Sequence, residues 1–193
     1  HFGDVSSLDY TDRLIQDTVE EFGQLDGVVN FAGIVGNSPI YEMGPDEWDK
    51  IIRVHLRGHF SLLRNSSAHW VRQNRTSANM ESRQRSFLCI SSRTIWGKPT
   101  MAHYSAAKAG VLGLTRTAAA ELHDQQIRVN ALVPTAYTRM SERPSDPNNS
   151  VSEEKRKMKP ADVAPMVAYM MSDSAADVSG CTFRAAGDEI GIF

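Results

Sequence analysis

Two cysteines in 193 residues, Cys89 and Cys181, are too few and too far apart for a disulfide scaffold, and both sit in apolar stretches. A reduced, cytoplasmic protein is expected. No apolar run approaches the ~20 residues that cross a bilayer, and no signal peptide is visible, so neither a membrane span nor secretion is expected. Charge of one sign is lacking as well. The 21 Lys and Arg against 23 Asp and Glu leave a formal net charge of −2, which argues against a nucleic-acid partner. The six histidines are scattered, without metal-ligand spacing. No Gly-x-Ser-x-Gly elbow occurs, which removes a common signature of acyl transfer.

What is present is an ordinary globular composition, 41% hydrophobic and 23% charged, enough for one domain with a sizeable core. The periodicity alternates along it. "DYTDRLIQDTVEEF" carries Leu14, Ile15, Val19 and Phe22 as the stripe of an amphipathic helix. "LDGVVNFAGI" reads as a buried strand entering a loop. A long helical pattern from Gly44 to Gln73 opens on Pro45 and acidic residues, good first-turn chemistry. Residues 74–85 read as a loop, "SFLCISS" as a second buried strand and "MAHYSAAKAGVLGLTRTAAAELHD" as a second long helix. "QIRVNALVP" reads as a third strand stopped by Pro134. Residues 135–159 are polar and read as a mobile loop; "PADVAPMVAYMMS" is a short helix and "GCTFRAAG" a last strand.

Continuous apolar strands alternating with helices predict a doubly wound α/β fold, a parallel sheet covered on both faces in three layers. Ligands bind such sheets at the carboxyl ends of the strands. Polar residues gather at those ends: Asn30 after one strand, Ser91 and Ser92 after the next, and Pro134 to Thr138 after the third.

The long second helix adds Tyr104 and Lys108, four apart and therefore on one face. A free phenol titrates near pH ~10, and a neighbouring ammonium is expected to lower it towards working range. A serine hydroxyl at the preceding strand end could hold a substrate or phenol oxygen. Such a trio suits proton transfer at an alcohol or carbonyl oxygen.

In this order the motifs resemble the short-chain dehydrogenase/reductase family over the whole chain. "GDVSS" resembles the family's Asp-Val motif, which implies that Asp4 and Val5 border the adenine of the cofactor. "NFAG" resembles its Asn-Asn-Ala-Gly motif, which implies that Asn30, Ala32 and Gly33 lie beside the cofactor ribose. "ISS…YSAAK" resembles the catalytic serine, tyrosine and lysine. The resemblance makes Tyr104 the general acid/base, while Lys108 holds the nicotinamide ribose and tunes Tyr104. For the serine, the family's usual spacing points to Ser91 and the aligned strand end to Ser92, which is the preferred candidate. "RVNALVP" and "PTAYTRM" imply that Pro134 and Thr138 border the nicotinamide.

Three departures from the family stand out. His55 in "VHLRG" replaces an asparagine that holds a proton-relay water in many members; members resembling peroxisomal multifunctional hydroxyacyl-CoA dehydrogenases share this "VHLRG", and a His ring can also bond a water. Thr135 stands where Gly is usual. The glycine-rich turn and the strands around it, which hold the dinucleotide phosphates and decide between NAD and NADP, have no counterpart between His1 and Phe193. The chain opens at His1 inside an expected strand, so a fragment Rossmann-like domain over 1–193 is expected, incomplete on its N-terminal side.

The resemblance implies an NAD- or NADP-dependent oxidoreductase interconverting a secondary alcohol and a ketone, assembled as a homodimer or homotetramer. Hydroxyacyl thioesters, steroids and polyketide ketones all fit as substrates. Two alternatives keep the scaffold: a cofactor-free isomerase, cyclase or dehydratase, and a non-catalytic binding subunit. Asp4 could instead cap the first helix, and Trp48, Phe60 and Trp70 are expected in the core or at a subunit interface.

Overall fold

A computed structural model of the chain describes residues 1–76, 85–139, 141 and 152–193. Five strands form one sheet in the order β1 to β5: β1 Gly27–Val29, β2 Arg85–Ile90, β3 Ile127–Thr135, β4 Thr182–Ala186 and β5 Glu189–Ile192. The first four run parallel, and β5 turns back antiparallel on β4. Every residue of β2 is buried, as is β3 from Ile127 to Val133, so apolar side chains must alternate between two covered faces. On one face Phe87, Cys89, Val129 and Ala131 pack with Trp70 and Val111; on the other, Leu88, Ile90 and Leu132 pack with Val163, Met166 and Met170. The fold is a doubly wound, three-layer α/β/α sheet of Rossmann type.

Helix α1 (Leu8–Phe22) begins where Ser7 Oγ accepts the Tyr10 N–H at 3.2 Å and ends at Gly23, left-handed at φ 79°. Capping thus falls to Ser7. Asp4 instead accepts from the Ser6 N–H and hydroxyl, at 2.9 and 2.7 Å. Ile15 is buried, yet Phe22 at the end of the expected stripe is exposed. Residues 1–6 form no strand. Residues 1–3 lie against α1, where His1 is 3.4 Å from Asp17, and at Ser6 the carbonyl accepts from Arg57 Nε and Ser61 Oγ at 3.1 and 3.2 Å.

The long helical pattern is interrupted. Helix α2 (Pro45–Ile52) passes into a π-turn at Arg53–Arg57 and continues as α3 (Gly58–Thr76). Trp70 is fully buried on α3 and donates its indole N–H to the Leu25 carbonyl at 2.7 Å, while Trp48 and Phe60 remain partly exposed. Helix α4 (Ala102–Glu121) follows β2 and packs on β3. Pro134 does not stop β3, which runs on to Thr135. Its missing N–H faces β2, whose pairing ends at Ile90↔Leu132, so no ladder bond is lost.

Of the expected mobile loop, residues 140 and 142–151 lie outside the described residues. Its described part includes α5 (Glu153–Lys157), and the Tyr137 N–H donates to the Met158 carbonyl at 2.7 Å. Helix α6 (Pro160–Met171) covers the second face of the sheet. Among the described residues no helix is long and apolar enough to cross a membrane.

Candidate active site

The strand ends and α4 converge on one cluster. Tyr104 and Lys108 stand one turn apart on α4, facing the end of β2. Lys108 is 3% exposed, and its ammonium donates to the Ile90 carbonyl at 2.7 Å. Burial pushes its pKa down to about 8. That ammonium lies over the Tyr104 ring, 5.7 Å from its centroid, and does not figure among the causes that shift the phenol. The expected tuning is therefore different here. Burial raises the phenol above its ordinary value, and the opposing pull comes from a hydrogen bond with the Ser92 side chain.

The two serines divide their work. Ser91 is buried and its hydroxyl donates to the Lys108 carbonyl at 2.8 Å, tying β2 to α4. Ser92 opens a 3-10 turn at Arg93–Trp96, where its Oγ accepts the Thr94 N–H at 3.3 Å, and its side chain meets the phenol. Ser92, not Ser91, is the serine whose side chain pulls the Tyr104 phenol down.

His55 sits in the π-turn, 1% exposed, with its ring edge-on to Tyr104 at 4.8 Å between centroids and 75° between planes. Its Nε2 lies 2.7 Å from the Ile34 carbonyl and 3.2 Å from the Ile34 N–H, and the shorter contact, to an oxygen that can only accept, makes Nε2 the donor. That fixes the proton on Nε2 and leaves Nδ1 a buried acceptor with no partner. Burial first, then the Lys108 charge, lower its pKa to about 4, so the ring is neutral. Gly33 is needed here, because a Cβ would stand 2.7 Å from His55 Cε1.

The other residues fall around this cluster. Asn30, 2% exposed, accepts the Ala32 N–H on Oδ1 at 3.0 Å, and its Nδ2 is buried without a partner. An apolar hollow of about 530 Å3 opens beyond β1 and β3, lined by Phe31, Pro134, Ala136 and Thr138 together with Val163 and Val167 of α6. Asp4 and Val5 lie elsewhere, on the π-turn segment. Asp4 is 3.6 Å from Arg53, its pKa lowered chiefly by the Ser6 hydrogen bonds, and Val5 lies so close to Gly58 that a Cβ there would meet it at 2.8 Å.

Two fully buried histidines went unread in the sequence. His59 bonds the Ile90 N–H and the His55 carbonyl; its only sequence signal is the four-residue step from His55. His103 accepts the Tyr104 N–H at 2.9 Å and faces Glu47 at 3.6 Å. Among the described residues, no group of three His, Cys, Asp or Glu is placed to hold a metal ion.

Residues 2–187 match the family model described as enoyl-(acyl carrier protein) reductase. A solved short chain dehydrogenase from Mycobacterium avium superposes with a TM-score of 0.85 at 34% identity, over 98% of this chain and 62% of that one. The chain belongs to the short-chain dehydrogenase/reductase family. Similar members include the hydroxyacyl-CoA dehydrogenase ChsB1 of Mycobacterium tuberculosis, 33% identical over 97% of this chain. The 3-oxoacyl-[acyl-carrier-protein] reductase FabG of Staphylococcus epidermidis is 32% identical over 95% of it. The chain spans 59% of the first of these short-chain dehydrogenase/reductases and 74% of the second.

Proposed function

We propose that the protein is an NAD- or NADP-dependent oxidoreductase interconverting a secondary alcohol and a ketone, with Tyr104 as its general acid/base. The observation that carries this reading is the cluster itself: a half-buried phenol bonded by Ser92, beside the buried ammonium of Lys108, at the carboxyl end of a parallel sheet. The residues present fit a nicotinamide dinucleotide. A flat ring suits the apolar hollow of Phe31, Pro134 and Thr138, and the orphaned Nδ2 of Asn30 offers a buried donor beside it. Asn30, Ala32, Gly33, Pro134 and Thr138, with Lys108 and Tyr104, would hold that group; Asp4 and Val5 are assigned to its adenine end. When bound, the dinucleotide supplies or accepts the hydride.

The protein's own part is the proton. With its pKa raised by burial, Tyr104 is protonated at neutral pH, ready to donate from Oη to a carbonyl oxygen as that oxygen gains charge. Ser92 steadies the phenol and can donate to the same oxygen. In the reverse direction the Tyr104 oxygen receives the hydroxyl proton. Acyl thioesters are the favoured substrate class, because relatives named for hydroxyacyl-CoA and 3-oxoacyl-carrier substrates match nearly the whole chain. A homodimer or homotetramer is proposed, with the part-exposed Trp48 and Phe60 at its interface; a single monomer species in sedimentation velocity would remove that part.

The test is Tyr104→Phe in the full-length protein, assayed on a 3-oxoacyl thioester, with calorimetric titration of NADH and NADPH. Turnover should fall by roughly 10²–10⁴-fold, far more than any loss of dinucleotide affinity from the missing hydroxyl. Near-normal turnover in the variant, or no binding of either dinucleotide to the wild type, sinks the reading.

A further inference from the structure

The end of β1 leaves a backbone problem at Ile90. In a parallel strand the N–H and C=O of one residue point to the same neighbour. The Leu88 carbonyl accepts the Asn30 N–H at 3.3 Å, which marks that parity as facing β1. Two residues on, Ile90 faces the same way, but the pairing of β1 ended at Val29↔Leu88. Ile90 is buried, and buried peptide groups are almost always paired. Both of its groups are met by side chains. Its carbonyl accepts from Lys108 Nζ at 2.7 Å, and its N–H donates to His59 Nε2 at 3.0 Å.

We infer that His59 is a positioning residue of this site, its imidazole fixing the Ile90 peptide on which the Lys108 ammonium rests. The inference rests on the assignment of Tyr104 and Lys108 to proton transfer. The second ring nitrogen supplies the leverage. His59 Nδ1 donates to the His55 carbonyl at 2.6 Å, inside the π-turn where the Gly58 N–H reaches back to Arg53 and the helix is wider than an α-helix. The proton is therefore on Nδ1 and the lone pair on Nε2. One neutral tautomer satisfies both bonds, and a doubly protonated ring would lose the Ile90 contact.

His59 is wholly buried, and desolvation with the nearby Lys108 charge holds its pKa near 3. The tautomer is thus fixed through the working range. The ring joins two parts of the site: the π-turn that presents His55 to Tyr104, and the strand end that receives Lys108. Nothing in the proton-transfer step calls on His59 directly. Its role acts through Ile90.

The titratable groups around the Lys108 ammonium are His55 and His59 from the π-turn and α3, Cys89 from β2 and Tyr104 from α4. The experiment compares wild type with His59→Phe and His59→Gln in the full-length protein. It follows the Lys108 side-chain titration by NMR, the exchange rate of the Ile90 amide, and the pH profile of kcat. His59→Phe should speed Ile90 exchange at least tenfold and lower the Lys108 midpoint by about one pH unit, the size of one charge-assisted hydrogen bond lost. The kcat profile should move with it, and His59→Gln, which can still accept from Ile90, should restore most of both. A folded His59→Phe with unchanged Lys108 titration and Ile90 exchange overturns the inference.

Should His59→Phe not fold, His59→Asn replaces it. Its shorter amide can donate to the His55 carbonyl but falls short of Ile90, so only His59→Gln should keep the wild-type Lys108 midpoint. Equal midpoints in the two overturn the inference. If Lys108 and Ile90 respond while the kcat profile stays still, His59 retains its place and the assignment of Lys108 to the reaction fails instead.

Discussion

Lys108 carries a charge into surroundings that oppose it, and that has a measurable sign. Its folded-state pKa is about 8 against an ordinary 10.5. Between those values the unfolded chain binds the extra proton and the folded chain does not, so stability rises with pH across that window. Relative to Lys108→Met, the wild type should gain up to about 3 kcal/mol between pH 8 and pH 10.5, read as a difference in urea midpoints. A flat difference would show that the ammonium is not desolvated. At this scale the sequence was informative about which residues meet and poor about how they interact. A four-residue step puts Tyr104 and Lys108 on one face. It says nothing of the Ile90 carbonyl that holds the ammonium over the ring, because that partner exists only where β1 runs out. The choice between Ser91 and Ser92 turns on side-chain direction at a strand end, which spacing alone does not carry.

The helical element around His55 shows the same division. Apolar periodicity runs unbroken from Pro45 to Gln73 and reads as one helix, while the π-turn at Arg53–Arg57 sits where His55 bonds Ile34 and His59 bonds Ile90, contacts that no local propensity encodes. The small residues after Tyr104 have a packing reason that is visible only in three dimensions. A Cβ on Gly110 would lie 3.0 Å from Leu56 of the π-turn, and Ala107 is fully buried. Gly110→Val should therefore push α4 off the π-turn, costing about 1–3 kcal/mol by overpacking. It should also lower turnover more than substrate affinity, since Tyr104 and Lys108 shift away from His55. Thermal unfolding and steady-state kinetics together check this; an unchanged kcat in a destabilised variant would separate the packing of α4 from the site. At the other end of the site, Gly33→Ala meets the His55 ring at 2.7 Å. Because that ring is packed edge-on to Tyr104, the larger loss should again be in kcat, not in stability.

For the molecule as a whole, alternating strands and helices sufficed to predict a parallel sheet covered on both faces, because continuous apolar strands leave few other arrangements. The two edges of the sheet refine that reading, and only the β5 edge was not foreseen. Strand β5 follows a two-residue turn at Gly187 and Asp188, Gly187 having φ 59°, and such a turn makes a hairpin beyond "GCTFRAAG", which reads as the last strand. Strand β1 is only three residues long and lies at the sheet edge, with Phe31 beyond it 55% exposed above the apolar hollow. The described sheet therefore leaves apolar surface half-open where the dinucleotide is proposed to bind, and occupancy there should raise the stability of the whole fold. At 100 times its dissociation constant a ligand bound only to the folded state adds about 2.7 kcal/mol, worth several degrees in Tm for a domain of this size. Differential scanning fluorimetry of the full-length protein with NADH and NADPH in parallel reads this directly. The preferred dinucleotide should produce the larger shift. Phe31→Asp, a change at a half-exposed position, should keep the ligand-free Tm within a few degrees while shrinking the shift, because it puts a charge into the hollow without opening the core. A ligand shift of equal size in that variant would place the dinucleotide away from Phe31 and from the hollow it lines.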